Sequence, residues 1–311
     1  MKKNISFVMA IALALSVSFM SCKKTDTNAD NSTDLATHSN DEARVSSESD
    51  AVANDADLAT ESFAAFSGRP GTVNSSTSSV ICDATTVLDS TATDRRITIT
   101  YNGTNCNGTR TRTGVVVLTM PLATHWRDAG AVLSVTVQNL AVTRLSDGKS
   151  ITINGLKTYT NVSGGRIIDL SAGNTIVHDI ASPGITVTFD NGTQRTWQIA
   201  KRRTFTYANG IVITTIGTHT DGGISGIAAW GSNRFGNSFV TSITAPLVIR
   251  QDCSFRLVSG QVTHQRLVAN VVTSFGLDAT GNATSCPVGT YYFKSVWTGV
   301  NGVVRTVIYP Y

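Results

Sequence analysis

An alternating stretch of cationic and aromatic residues, TWQIAKRRTFTY, is the sharpest candidate for binding chemistry in this chain. If it is one unbroken strand, Lys201 and Arg203 share a face with Trp197, Phe205 and Tyr207. Aromatic faces attract cations and stack on sugar rings, while Lys and Arg bind anionic groups. One interpretation is a binding stripe for an acidic glycan or another envelope component. We favour the other, in which the strand breaks or bulges at Lys201–Arg203 and the cations lie at an edge or bend, where they discourage aggregation.

Catalytic and metal-binding motifs are missing from the sequence. It contains no G-x-S-x-G nucleophile elbow, no H-E-x-x-H motif and no EF-hand loop, so we expect no metal and no cofactor. Glycoside hydrolysis usually needs two carboxylates, and residues 71–311 offer eleven Asp and no Glu. Asp147, Asp190 and Asp221 stand at positions typical of turns. The sequence favours a protein that is not an enzyme, and a glycan-directed extracytoplasmic hydrolase using Asp residues is the alternative.

The amino terminus reads as an export signal that ends at a cysteine. Two lysines are followed by a short run of apolar and small residues, with Ser21 directly before Cys22. This order is typical of a secretory signal peptide, and the run is short for a membrane span. We predict a signal peptide over residues 1–21 and lipidation of Cys22. The alternative is a soluble secreted protein in which Cys22 is a free thiol.

Cysteine counting agrees with a lipidated Cys22. Four other cysteines remain, which is an even number in an exported chain, and disulfides are expected outside the cytoplasm. Four cysteines allow three pairings. We favour Cys82–Cys106 and Cys253–Cys286, because each pair is close in sequence and the two pairs are far apart.

The segment after Cys22 has a different composition from the rest of the chain. Residues 23–70 contain ten acidic and four basic residues, with few aromatic or branched aliphatic side chains. Such a segment buries too little apolar surface to offset the entropy lost on ordering. The composition predicts that residues 22–71 form a lipidated cysteine followed by a disordered acidic tether.

Alternating strands dominate residues 72–311. Period-two patterns such as RITITY and ITVTF are typical of half-buried strands, and dipeptides such as Asn-Gly and Asp-Gly recur between them as hairpin turns. We predict an all-β fold, an antiparallel β-sandwich with either one body or two tandem units, 72–183 and 184–311. Residues 71–311 contain 19 Lys and Arg and 11 Asp, and this net positive charge favours contact with an anionic surface. We expect no nucleic-acid partner.

Several stretches together resemble a known group of proteins. Cys22-Lys23-Lys24, the polar segment after it, CNGTRTRTG and ITAPLVIRQDCSFRLVSGQV are similar to uncharacterised lipoproteins of Bacteroidota. That group has no assigned activity, so the resemblance implies no functional residues. It implies a protein of the bacterial cell envelope that is anchored by lipid in the outer membrane. The resemblance does not decide between the cell surface and the periplasmic side. We therefore expect a membrane-anchored extracytoplasmic lipoprotein with a binding or structural β body.

Overall fold

The computed structural model describes residues 32–68, 77–78, 81–286, 289–299 and 302–311. The predicted signal peptide, Cys22 and the predicted boundary between residues 71 and 72 lie outside these ranges. No helix within them combines the length and the apolar character that crossing a membrane requires.

Two helices precede sixteen strands in the described part of the chain. The helices are α1 (Ser32–Ser62) and α2 (Ala64–Ser67), and two short 3₁₀ helices occupy Ile167–Asp169 and Gln251–Cys253. The strands are β1 (Thr77–Ser78), β2 (Ala84–Ser90), β3 (Asp94–Thr104), β4 (Arg110–Pro121), β5 (Ala131–Arg144), β6 (Ser150–Asn161), β7 (Ile176–Phe189), β8 (Gln194–Tyr207), β9 (Ile211–Gly217), β10 (His219–Asp221), β11 (Ile224–Ser232), β12 (Ser238–Arg250), β13 (Arg256–Gln265), β14 (Val271–Leu277), β15 (Tyr292–Thr298) and β16 (Val304–Pro310).

All sixteen strands belong to one antiparallel sheet. Strands β1 to β8 pair in chain order, and so do β12 to β16. Between them, β9 and β11 lie end to end, because the first half of β8 pairs with β11 and its second half pairs with β9. Gly217 stands where β9 gives way to β11, and a Cβ there would lie 2.0 Å from the carbonyl oxygen of Gly226. Only glycine fits this junction.

Bulges bend the long central strands. The register shifts within β4–β5, β5–β6, β6–β7 and β7–β8, in each case near the middle of the strands. A bulge adds a residue to one strand, which locally bends it and increases its twist. The sheet therefore curves, and side chains from early strands and late strands reach the same helix, α1.

The predicted fold class is confirmed. Of the residues that the structure describes, 56% are in strands and 15% in helices, and the antiparallel strands form a sandwich-like body. The predicted boundary between residues 183 and 184 falls inside β7, which pairs with β6 and β8 on both sides of that point. One hydrophobic core contains Ile97 and Leu118 from the first predicted unit and Trp197 and Phe239 from the second. The two predicted units thus share one sheet and one core.

The prediction of a disordered tether is wrong for residues 32–62, which form α1. Its apolar residues are few, but Val45, Val52, Ala56 and Ala59 fall on one face and are buried in the main core. Composition suggested disorder because it assumes that acidic side chains stay in water. Here the curved sheet supplies basic partners, so burial of the acidic face no longer leaves charges unpaired.

Candidate functional site

A row of buried cations lines the inner face of the sheet where α1 lies. We call this row the cationic groove. Arg110 and Arg112 on β4 are two residues apart and therefore project to the same face. The cations on β8 follow the same rule. The groove consists of Arg110, Arg112, Lys157, Arg195, Lys201, Arg203 and Arg234.

The acidic face of α1 fills this groove through ion pairs along the helix. Five acidic residues of α1 contact groove cations at 2.5–2.9 Å between nitrogen and oxygen. The pairs are Asp41–Arg234, Glu42–Arg195, Glu48–Arg110, Asp50–Arg203 and Asp55–Arg112. Hydroxyl groups of α1 accept hydrogen bonds from the two lysines, Lys157 to Ser49 at 2.7 Å and Lys201 to Ser46 at 3.0 Å. The acidic segment and the basic body thus neutralise each other.

The candidate binding stripe lies on β8, which is one unbroken strand, so the favoured break at Lys201–Arg203 is wrong. Trp197, Lys201, Arg203 and Phe205 point to the inner face and are buried. Lys201 and Arg203 are engaged by Ser46, Asn54 and Asp50 of α1, and the Lys201 ammonium lies 5.6 Å from the centre of the Trp197 ring. Tyr207, at the end of the strand, is 46% exposed. With α1 in place, four of the five predicted residues are not accessible to a glycan.

Arg112 is the most strongly paired cation of the groove. Its guanidinium donates two hydrogen bonds of 2.6 Å to Asp83 and one of 2.7 Å to Asp55. Asp55 also accepts a hydrogen bond from the hydroxyl of Tyr101 at 2.8 Å. Burial works against the charged form of Arg112, but the two carboxylates outweigh it and raise the pKa of Arg112. This network links α1 to β2, β3 and β4.

Two largely buried groups, Lys157 of the groove and Asp57 beside it, have pKa values near neutrality. Burial raises the pKa of Asp57 to about 7, with the charge of Arg203 opposing the rise and that of Glu61 adding to it. Burial also lowers the pKa of Lys157 to about 7, although the charge of Asp50 opposes that change. Removal from water penalises the charged form of both groups. Each therefore titrates in a range where an exposed Asp or Lys would not.

A cavity of about 770 Å³ lies beside α1, lined by the helix and mainly by strands β8 to β16, and it extends to Arg110 and Arg112 of the groove and to Ile81 and Cys106. Besides charged residues, the helix contributes a row of residues spaced three or four apart, which are small or polar except for the last: Asn40, Ala43, Ser47, Ala51, Asn54 and Leu58. The sheet presents apolar residues, which include Phe205, Ile213, Ile243, Leu247, Ile249 and Phe275. A volume of this size suits a small organic ligand, and an apolar wall suits a ligand that is itself apolar.

Large apolar side chains at the edge of the cavity are open to solvent. Leu58, Ile168 and Phe255 all line it, and their exposed fractions are 51%, 65% and 42%. They come from α1, from the first 3₁₀ helix and from the loop after the second. We call this edge the mouth of the cavity. Contiguous exposed apolar side chains next to a pocket are characteristic of binding sites.

The charged residues that line the cavity balance in number. Six are acidic and six are Lys or Arg: Glu42, Glu48, Asp50, Asp55, Asp57 and Glu61, and Arg44, Arg110, Arg112, Arg144, Lys201 and Arg256. Most of them belong to the ion pairs that hold α1, and Arg144 pairs with Asp147 in a turn. Because the two signs are equal in number, the cavity offers no net charge to a charged ligand.

Both predicted disulfides are confirmed. Cys82 pairs with Cys106 and Cys253 with Cys286, with Cα–Cα distances of 5.3 and 5.4 Å that are usual for such bonds. Cys106 lines the cavity, and Cys253 directly precedes the loop that carries Phe255. The second bond therefore constrains a segment at the mouth.

The histidines of the β body serve packing and surface contacts. His264 is buried between Thr241 and Thr273, His178 packs against Trp126 and Phe205, and His219 stacks on Trp230. The Asp residues considered for hydrolysis behave as turn residues: Asp147 pairs with Arg144, and Asp221 pairs with Arg266.

Within the described ranges, three residues of types that can bind a metal ion lie close together at one place: Asp252, Cys253 and Cys286. The two sulfurs of that group form the second disulfide.

Sequence reasoning missed α1 and the cavity, although one signal pointed to the helix. The acidic segment and the basic body carry opposite charge in one chain, and the cations alternate on β4 and β8. Alternating cations on an inner strand face require a buried anionic partner. No comparable signal exists for the cavity, because it depends on how far the late strands stand from α1.

Comparison of the chain with protein-family models, with curated proteins and with solved structures gives no match.

Proposed function

We propose that this protein is an extracytoplasmic lipoprotein, anchored to the outer membrane through Cys22, that binds an apolar molecule in the cavity beside α1. The observation that carries the binding part is the cavity itself, with an apolar sheet wall and exposed apolar residues at its mouth. The balance of charge along its walls supports an uncharged or largely apolar ligand. The anchor rests on the sequence around Cys22.

An acidic glycan fits this geometry less well than an apolar molecule. The cations that would bind it, Lys201 and Arg203, are engaged by residues of α1 and buried. A glycan would have to replace those contacts. An apolar molecule needs only to displace water from a wall that is already apolar, which is favourable by about 25 cal/mol per Å² buried.

The binding proposal can be tested with an apolar fluorescent probe such as N-phenyl-1-naphthylamine. Ala51 faces the cavity from α1, so Ala51→Trp would fill part of the space without removing an ion pair. We expect at least a tenfold weaker binding of the probe. Thr37→Trp is the matched control, because Thr37 is a half-buried residue of the same helix that does not line the cavity. Equal binding by the two variants, both folded by circular dichroism, would contradict the proposal.

The anchor can be tested separately by mass spectrometry of the mature protein. We expect a lipid-modified amino-terminal cysteine at position 22, with residues 1–21 absent from the mature protein. An unmodified thiol at Cys22 in the mature protein would rule out the anchor while leaving cavity binding open.

A further inference from the structure

Four exposed apolar residues gather at one end of the molecule, around the mouth of the cavity. They are Leu58, Ile168, Tyr207 and Phe255, with exposed fractions between 42% and 65%. We call them the apolar tip. Each comes from a different element: α1, the first 3₁₀ helix, the end of β8 and the loop after the second 3₁₀ helix. A single exposed apolar residue is ordinary, but convergence of four from separate elements is not.

Backbone contacts bring these elements together. Tyr207 pairs with Ile211 across the β8–β9 turn, and the N–H of Ile211 donates a hydrogen bond of 2.7 Å to the Gln251 side chain. Ile211 also lines the cavity together with Ile168 and Phe255. Strand β8 runs beside α1, so its last residue lies near the carboxyl end of that helix. The tip is therefore continuous with the cavity.

We propose that the apolar tip docks onto the bilayer that holds the lipid anchor, so that the cavity takes its ligand from the acyl chains of membrane lipids. This inference rests on the proposed function, since it needs both the anchor and the apolar cavity. It adds the partner surface, which is a lipid bilayer, and the class of ligand, which is a lipid with apolar chains.

The length of chain between the anchor and α1 allows this contact. Ser32 lies ten positions after Cys22, and at about 3.5 Å per position the chain between them spans at most about 35 Å. Leu58 lies 26 residues further along α1, about 39 Å at 1.5 Å per residue. The two lengths are similar, so an inclined helix can return its carboxyl end to the membrane surface. The tip is then within reach of the bilayer that holds the anchor.

The chemistry of the tip also suits a membrane interface. Aromatic residues such as Tyr207 and Phe255 favour the boundary between headgroups and acyl chains. A lipid chain that enters at Ile168 and Phe255 meets the apolar sheet wall without crossing water. A soluble protein partner could also bury the apolar residues of the tip. Such a partner would not explain why a cavity adjoins the tip.

The test uses the full lipidated protein in vesicles of phosphatidylethanolamine and phosphatidylglycerol. An environment-sensitive fluorophore (NBD) is attached through Ile168→Cys or Phe255→Cys, and through Val304→Cys as the control. Val304 is 62% exposed but does not line the cavity. We expect the two tip probes to gain at least twofold in emission with vesicles, and to be quenched by lipids with a nitroxide on the chain. The control should change in neither assay.

Several outcomes would overturn the inference. One is equal emission from the tip and control probes. Another is a tip signal that appears without vesicles and rises with protein concentration, which indicates a second copy or another protein as the partner. Binding of N-phenyl-1-naphthylamine by the same labelled proteins separates the two proposals. If the probe binds while the tip stays in water, membrane docking fails and the proposed function stands. If the tip inserts but no variant binds the probe, the cavity proposal fails, and with it the lipid as ligand.

Discussion

The two sides of α1 show how one helix can serve two kinds of surface. On the side of β2 to β8, the small apolar residues of α1 pack into a continuous core and its acidic residues form ion pairs. Ile97, Ile99 and Leu118 are fully buried in this core. Toward β9 to β16 much of the helix faces the cavity, which also reaches Arg110 and Arg112 on β4, and the buried residues there form smaller separate clusters. The strands on both sides of α1 belong to the same antiparallel sheet. Whether a region is filled or open therefore depends on how closely its strands approach α1, as well as on the residues that the helix presents.

The largest expected effect comes from breaking the ion-pair network on the packed side. Arg112→Met would leave Asp55 and Asp83 buried without their cation, which typically costs about 3–5 kcal/mol. The control is Arg96→Met, because Arg96 pairs with Asp89 on the surface and exposed pairs contribute about 0–1 kcal/mol. Chemical denaturation of both variants measures the difference. Similar losses of unfolding free energy would mean that α1 is not held through Arg112.

A change of pH should weaken the packed side through Asp57. Its folded pKa of about 7 is above the usual value of about 3.9 for an unfolded chain, so between these values the folded protein binds more protons. The contribution of Asp57 to the unfolding free energy should therefore fall by roughly 1.4 kcal/mol per pH unit from about pH 4 to about pH 7. Burial lowers the pKa values of His38, His178 and His264, so their contribution rises with pH up to about pH 6.5, in the opposite direction. Lys157 has its pKa lowered to about 7, so its contribution changes above pH 7, in the direction opposite to that of Asp57.

Removing the carboxylate of Asp57 separates its contribution to the pH dependence of stability from the contributions of the other titrating groups. We expect Asp57→Asn to be more stable than the native protein at pH 8 and similar to it at pH 4, as measured by denaturation. Arg203, Glu61 and His178 surround Asp57 and are unchanged in this variant. Asp89→Asn, at a 59% exposed side chain, should show no comparable difference between the two pH values. A gain that is the same at pH 4 and pH 8 would contradict ionisation of Asp57 as the cause.

Truncation of matched leucines compares the two sides directly. Leu118 is fully buried in the core and Leu247 lines the cavity. Leu118→Ala creates a new void and should cost about 3–5 kcal/mol, whereas Leu247→Ala enlarges an existing one and should cost roughly 2 kcal/mol less. Thermal or chemical unfolding gives both values. Equal costs would show that the cavity collapses in solution and that both sides are packed alike.

Salt should have the smallest effect. Raising NaCl from 0.1 M to 1 M shortens the Debye length from about 10 Å to about 3 Å, which screens exposed charges far more than buried ones. Most pairs between α1 and the groove are buried, so we expect the unfolding free energy to change by less than about 1 kcal/mol. A loss of several kcal/mol at high salt would mean that these pairs are open to solvent.

Local patterns predicted the strands well, since alternation reports which face of a strand is buried. The face shared by Trp197, Lys201, Arg203 and Phe205 and both disulfides follow from such short-range rules. The role of that face did not follow, because burial by α1 is a contact across about 150 residues of chain. Composition alone assigned residues 32–62 to a tether, since it does not include a partner for eight acidic residues. The cavity needs the three-dimensional separation of α1 from the late strands.

Hydrogen exchange of the full chain, followed by mass spectrometry, tests most directly whether the acidic segment is a docked helix. The account predicts that amides of residues 32–62 are protected to an extent similar to those of β4 and β8, because α1 and these strands share one core. Complete exchange of residues 32–62 within seconds, while β4 and β8 stay protected, would contradict the docked helix and the cavity that it helps to form.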